Sequence, residues 1–362
     1  MTSLVVGFVV ALLATLLIVK SSGRHGRLSA DHDLSGPQKF HARPVPRIGG
    51  VGIFVALVAG TVLAHATPQA NAAWLWTLLA CSLPAFLSGL AEDLTKNVSP
   101  RRRLAFTAGA AVLGVWWLDA LIRRTGVPGL EQAVQFLPVA VLLTVFLVSG
   151  VANAVNIIDG FNGLASMCVV IMLVGLAYVA FQVGDTAIVN ASLLLIGAVL
   201  GFFVWNFPAG LIFLGDGGAY LLGFLFGELC VLLVARNPEV SPWFPVLLCG
   251  YPIFETVFSI YRKKFLRGMS PGIPDGVHLH MLVYKRLMRW TLGSSARQKT
   301  ARNSMTSPYL WLLCLLSVVP AVLAWQSTAW LIAFCGLFIL AYVLLYWSIV
   351  RFKAPKWLVV RR

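Results

Sequence analysis

Charge is what this chain has least of: only 11% of its residues are Asp, Glu, Lys or Arg, against roughly a quarter in a soluble domain. That shortage excludes a soluble globular protein. A second absence is cysteine chemistry, since the six Cys at 81, 168, 230, 249, 314 and 335 all fall in apolar stretches. With no Cys-x-x-Cys pair and no His at zinc spacing, they read as small buried hydrophobes. No internal repeat or low-complexity tract appears. No positive residue precedes the first apolar run and no small-x-small pattern follows it, so Leu4 to Val19 is expected as a retained anchor rather than a cleaved signal.

What is present is apolar: 59% hydrophobic residues and a mean hydropathy of +0.85 over 362 residues. At about 20 residues per crossing, such a chain forms an all-α polytopic membrane protein of about eleven helices. Residues 1–362 are expected as one membrane-embedded domain. The spans fall near 4–19, 48–66, 73–91, 104–121, 134–152, 166–183, 189–204, 211–234, 242–260, 308–325 and 328–350.

The net charge of +15 then reports orientation rather than nucleic-acid binding, because cytoplasmic loops collect Lys and Arg. With the N-terminus placed outside, the loops near 20–47, 92–103, 153–165, 205–218 and 261–307 and the tail share one side, and cations crowd 20–47, 92–103, 261–307 and the tail. Only Arg123, Arg124 and Arg236 lie opposite. The expected arrangement is a periplasmic N-terminus, a cytoplasmic C-terminus and active-site loops on the cytoplasmic side. Glu92, Asp93, Asp159, Asp216, Asp275, His278 and His280 fall on that same side, leaving Glu228 as the single acid expected at mid-depth. A transporter would be expected to place paired ionisable groups there.

Five segments carry chemistry. Gly89 to Lys96 ends a span with Glu92 and Asp93, adjacent carboxylates that repel unless a cation sits between them. It is either a solvated cap or a metal or general-base pair, with Lys96 and Arg101 to Arg103 attracting phosphate. Asn153 to Leu164 packs Asn153, Asn156, Asp159 and Asn162 among glycines, leaving amides and backbone N–H groups free as a phosphate or ribose cradle requires. Trp205 to Gly210, which includes Asn206, precedes Leu214-Gly215-Asp216-Gly217-Gly218; there Asp216 is a helix cap or an oxygen ligand for Mg²⁺ shared with substrate phosphates. Pro271 to His280 offers His278 and His280 amid cations, a poor zinc site but a fair partner for pyrophosphate. Lys39 to Gly50 brings Lys39, Arg43 and Arg47 before paired glycines that imply close backbone approach to a helix or a phosphate.

In this order and on one membrane side, the five segments resemble the polyprenyl-phosphate N-acetylhexosamine-1-phosphate transferases. The chain looks closer to the branch initiating O-antigen and common-antigen synthesis than to the phospho-MurNAc-pentapeptide translocase. The resemblance implies attack by undecaprenyl phosphate on the sugar-linked phosphorus of a UDP-sugar, with release of UMP, in the bacterial inner membrane. This would initiate a cell-surface polysaccharide. It implies Mg²⁺, with Mn²⁺ as a substitute, held by Asp216 and Asp93. Asp93 with Glu92 would deprotonate or orient the lipid phosphate, and Asp159 and Asn156 would hold nucleotide-sugar or metal. Arg47, His278 and His280 would meet pyrophosphate, and Lys39, Lys96, Asn162 and Asn206 complete the expected substrate contacts. Membrane lipids are the surroundings, and a homodimer is compatible.

Three positions depart from the family pattern: Glu92 stands in place of Asp, Asn162 in place of a second Asp, and a three-His run is missing. The last points to a simpler UDP-N-acetylhexosamine than the muramyl-pentapeptide. The alternatives are that muramyl-pentapeptide reaction and a non-catalytic transporter or flippase.

Overall fold

The computed structural model describes residues 1–31, 44–66, 72–268, 270, 276–288 and 299–351. In chain order the helices are α1 (Thr2–Lys20), α2 (Ser22–Ser29), α3 (Gly49–Ala66), α4 (Ala72–Thr95), α5 (Pro100–Leu118), α6 (Leu130–Ala133), α7 (Leu137–Ile158) and α8 (Leu164–Gln182). Then follow α9 (Thr186–Asn206), α10 (Gly215–Arg236), α11 (Trp243–Leu248), α12 (Gly250–Tyr261), α13 (Leu279–Leu282), α14 (Lys299–Leu323) and α15 (Thr328–Val350). Among the described residues, the only extended pairing is antiparallel, Ala30–Asp31 with Val45–Pro46.

Nine of the described helices are long and apolar enough to cross a membrane, as the all-α polytopic reading requires. The other two expected spans differ for physical reasons. The segment 104–121 belongs to α5, which starts earlier, at Pro100, with Ser99 accepting the Arg102 N–H at 3.4 Å. Its first turn therefore carries three arginines, of which Arg103 is buried in the bundle end while Arg101 and Arg102 are exposed. The segment 242–260 is not one helix, because Cys249 ends α11 and α12 begins at Gly250, with Pro245 and Pro252 on either side of the break.

α10 is the axis of the bundle. From Gly217 to Leu233 it is buried without interruption, the pattern of a helix apolar all round and enclosed by others. It packs on α3, α4, α5, α7 and α8. By contrast, α1 and α15 leave side chains such as Leu17, Leu337 and Leu344 exposed, as hydrocarbon surroundings permit.

Close approach to α10 depends on missing side chains. A Cβ on Gly50 of α3 would lie 2.4 Å from the Gly218 backbone, and one on Gly89 of α4 would lie 2.6 Å from the Asp216 carbonyl carbon. Of the two partners expected for the Gly49-Gly50 pair, the structure supplies the helix. Backbone hydrogen bonds complete the junction: Gly49 and Gly50 donate to the carbonyls of Phe213 and Leu214, and Phe213 donates to Pro46.

Candidate active site

The junction at the start of α10 assembles the acids. Asp93 is fully buried near the end of α4, and its two carboxylate oxygens accept the backbone N–H groups of Asp216 at 3.0 Å and Gly217 at 2.8 Å. The first N–H groups of a helix lack intrahelical partners, so Asp93 caps α10 from a neighbouring helix. This fixes the backbone that carries Asp216.

Asp216 points into a cavity of about 360 Å³. One of its oxygens accepts Asn156 Nδ2 at 2.8 Å and lies 3.6 Å from Arg47; the other is paired with Arg103. Arg47 also lies 3.7 Å from Asp93. Asp159, the residue that ends α7, lines the same cavity. Burial pushes its carboxyl up to about 7 from the usual 3.8; the charges of Asp216 and Asp93 push the same way, and Arg47 opposes them. No hydrogen bond from a described residue reaches its carboxylate. Among the described residues, three carboxylates thus share two guanidinium groups, which leaves the acids in excess there.

Among the described residues, no group of three or more His, Cys, Asp and Glu side chains is placed to hold a metal ion by itself. Mg²⁺ does not require one, since it is commonly bound through one or two carboxylates, water and substrate phosphates. Asp159, with an unclaimed carboxylate, and Asp216 fit that chemistry. Asp93 does not face the cavity, and both its oxygens serve α10.

The remaining expected residues separate into those that line the cavity and those that do not. Asn156, Arg47, His278 and His280 line it. Both ring nitrogens of fully buried His280 lack a hydrogen-bond partner, and burial pushes this imidazole down to about 3, so its ring is neutral. Asn162 and Asn206 also reach the wall, but their amides staple the loop. Asn162 Nδ2 donates to the Pro208 carbonyl at 3.1 Å and to Ser304; Asn206 accepts the Gly163 N–H at 2.6 Å and donates to the Ile212 carbonyl at 2.7 Å. Glu92 lies outside the cavity and accepts the Val98 N–H at 2.7 Å, while Lys96 Nζ donates to the Asp93 carbonyl at 2.9 Å. Lys39 and Asp275 lie outside the described residues.

Three contributors escaped the sequence reading. Arg103 was grouped only with its neighbours as a phosphate attractor, yet it pairs with Asp216. Asn303, on α14, lines the cavity and accepts the Asn162 N–H at 2.8 Å. Glu255, in α12, is a second fully buried acid inside an apolar run besides Glu228, and it bonds His278. Its signal was an acid amid aromatics just beyond two prolines.

Residues 75–234 match the model of glycosyl transferase family 4. The chain is 28% identical to the "probable undecaprenyl-phosphate N-acetylglucosaminyl 1-phosphate transferase" of Bacillus subtilis, over 97% of this chain and 92% of that protein. It is 28% identical to the undecaprenyl-phosphate alpha-N-acetylglucosaminyl 1-phosphate transferase of Thermotoga maritima, over 71% and 74%. It is 30% identical to the phospho-N-acetylmuramoyl-pentapeptide-transferase of Streptococcus thermophilus, over 61% and 67%. With nine apolar helices among its described residues and the acids gathered at the head of α10, the chain belongs to glycosyl transferase family 4.

Proposed function

We propose that this protein transfers an N-acetylhexosamine-1-phosphate, GlcNAc-1-phosphate by preference, from a UDP-sugar to undecaprenyl phosphate, releasing UMP. One observation carries the reading: a polar cavity at the helix ends in which Asp159, Asp216 and Asn156 face Arg47, Arg103 and two histidines. The relative from Bacillus subtilis, matched over nearly the whole chain, bears the name of that reaction. The bias of Lys and Arg supports a cytoplasmic cavity mouth, where a soluble nucleotide-sugar meets a lipid phosphate in the inner membrane.

Two anions must meet, so the requirements are neutralisation and alignment. Arg47 and Arg103 supply fixed positive charge beside Asp216, and the two histidines line the wall where the donor's pyrophosphate lies. Mg²⁺, held by Asp216 and Asp159, would polarise the phosphoryl oxygens and neutralise the charge that develops there. Asp93 holds the head of α10, so its part is to place Asp216. Attack by an oxygen of the lipid phosphate forms the new P–O bond as the bond to UMP breaks.

Mg²⁺ affinity should depend on pH through Asp159. A metal ligand must be deprotonated, and the Asp159 carboxyl is raised to about 7. Apparent affinity is therefore expected to strengthen as pH rises from 6 to 8. In the metal-free protein the contribution of Asp159 is expected to run the opposite way, because a carboxyl raised from 3.8 to about 7 contributes stability below pH 4 that is lost as pH rises through 7. Mg²⁺ titrations of the thermal midpoint at pH 6, 7 and 8 check both signs; a pH-independent affinity contradicts the role of Asp159.

The donor is tested by mass spectrometry of the lipid product when UDP-GlcNAc, its epimers and UDP-MurNAc-pentapeptide compete. Undecaprenyl-pyrophosphate bearing a single N-acetylhexosamine is expected. A pentapeptide-bearing product would move the protein to the peptidoglycan reaction.

A further inference from the structure

Glu255 has no part in the chemistry described so far, yet it is fully buried. A buried carboxylate is costly unless it is hydrogen-bonded, and here both oxygens are. One oxygen accepts His278 Nδ1 at 2.8 Å and the Leu279 N–H at 3.2 Å, and the other accepts the Tyr342 hydroxyl at 2.6 Å. The donors come from two distant parts of the chain, the head of α13 and the middle of α15. Both lie beyond the residues 75–234 matched by the family model.

The ring of His278 is held on several sides. A carboxylate only accepts, so Nδ1 carries the proton. His280 stacks on the ring at 5.2 Å with the planes 3° apart. Tyr342, which closes the far side of the carboxylate, stands edge-on to Phe254 at 4.8 Å and to Phe258 at 5.6 Å. Only Nε2 of His278 is left for the cavity that the residue lines, and no described residue bonds it.

We propose that Glu255 is a positioning residue: through Nδ1 it fixes the plane of His278 and favours the imidazolium, the form in which Nε2 also carries a proton, so that Nε2–H is presented to a phosphate oxygen of the sugar nucleotide. Tyr342 locks the carboxylate from the last helix. The negative charge behind the ring strengthens a donor bond from Nε2–H to an anion in front of it. The identity of the ligand rests on the transferase reading above; the arrangement of Glu255, His278 and Tyr342 does not.

A double-mutant cycle tests the proposal. In Glu255→Gln the amide oxygen can still accept from Nδ1 and Leu279, while its NH₂ faces Tyr342 and turns that hydroxyl from donor to acceptor, so the charge is lost but the contact to His278 is kept. Glu255→Leu removes the acceptor as well. A hydrogen bond to a charged group is worth enough that KM for the UDP-sugar should rise about tenfold in the Leu variant and about threefold in the Gln variant. The kcat and the KM for undecaprenyl phosphate should stay within about twofold, since a contact made equally in ground and transition states moves KM alone. In a His278→Ala background both Glu255 changes should have no further effect.

Glu255 effects that persist undiminished without His278, or a fall in kcat with KM unmoved, would overturn the proposal. Should the Glu255 variants fail to accumulate, ¹⁵N-imidazole NMR on the wild-type protein, with the His278 signal identified by His278→Ala, decides it. Protonated Nδ1 is expected, and an unprotonated Nδ1 contradicts the assignment. The same spectrum judges the arrangement even if wild-type protein releases no UMP from any donor, an outcome that would refute the transferase reading instead.

Discussion

Replacing Asp216 by Asn should lower UMP release on the order of a thousandfold and weaken Mg²⁺ more than tenfold, with the thermal midpoint little changed. A Lewis-acid metal contributes several kcal/mol to a phosphoryl transfer, and each 1.36 kcal/mol is about a factor of ten in rate. The amide keeps the size of the carboxylate and one acceptor oxygen, so packing survives. The charge that pairs with Arg103 and faces Arg47 does not. Arg103 would then stand without its anionic partner and compete with the metal for substrate oxygens. Turnover close to wild type with unaltered Mg²⁺ dependence would remove Asp216 from the role of metal ligand.

Gly215→Ala should be nearly as damaging by a different route. Gly215 opens α10 with φ +77°, a conformation that costs an L-residue roughly 1–2 kcal/mol. Its Cβ would also fall 1.9 Å from the Arg47 carbonyl oxygen and 2.6 Å from an Asp93 oxygen. Neither neighbour can withdraw freely, because the segment at Arg47 is tied to Ser29 by a 2.8 Å backbone bond and Asp93 is committed to the head of α10. Overpacking adds about 1–3 kcal/mol, so a fall of several degrees in the thermal midpoint is expected. Displacement of Asp216 by about 1 Å should cost on the order of a hundredfold in rate. Ala at 215 with normal activity and melting would mean that the site does not depend on this junction.

Both predictions concern a place that was partly legible in the sequence. Asp159, Asp216 and Asn156 stood out because Asn, Asp and Gly are crowded where apolar runs end, and the same density cannot be explained by ordinary turns. The histidines stood out as a pair among cations. Asp93 was visible as half of an acidic pair, but its work was not. That a carboxylate on α4 caps α10 follows from a contact between residues more than a hundred positions apart, and no local pattern encodes it. Glu92 shows the converse, since adjacency to Asp93 suggested a shared function while the side chain turns to the Val98 N–H instead.

Glu255 was hidden for another reason. A lone acid in the stretch 242–260 looks like the interior of a span, and hydropathy averaged over that stretch conceals the break at Cys249. Once α11 and α12 are separate, α12 is short enough to serve the cavity, and its acid meets His278. The paired glycines before α3 carried the right inference, close backbone approach, but only the fold could name Gly218 as the partner.

The central claim is that the cavity at the head of α10 joins a nucleotide-sugar to a lipid phosphate. UMP release by detergent-purified protein, with undecaprenyl phosphate and a panel of UDP-sugars, in Mg²⁺ or in chelator, tests it most directly. UMP that appears only when lipid phosphate, Mg²⁺ and a UDP-N-acetylhexosamine are all present is the predicted result. No UMP from any donor, in protein that melts cooperatively and retains its helices, would contradict it.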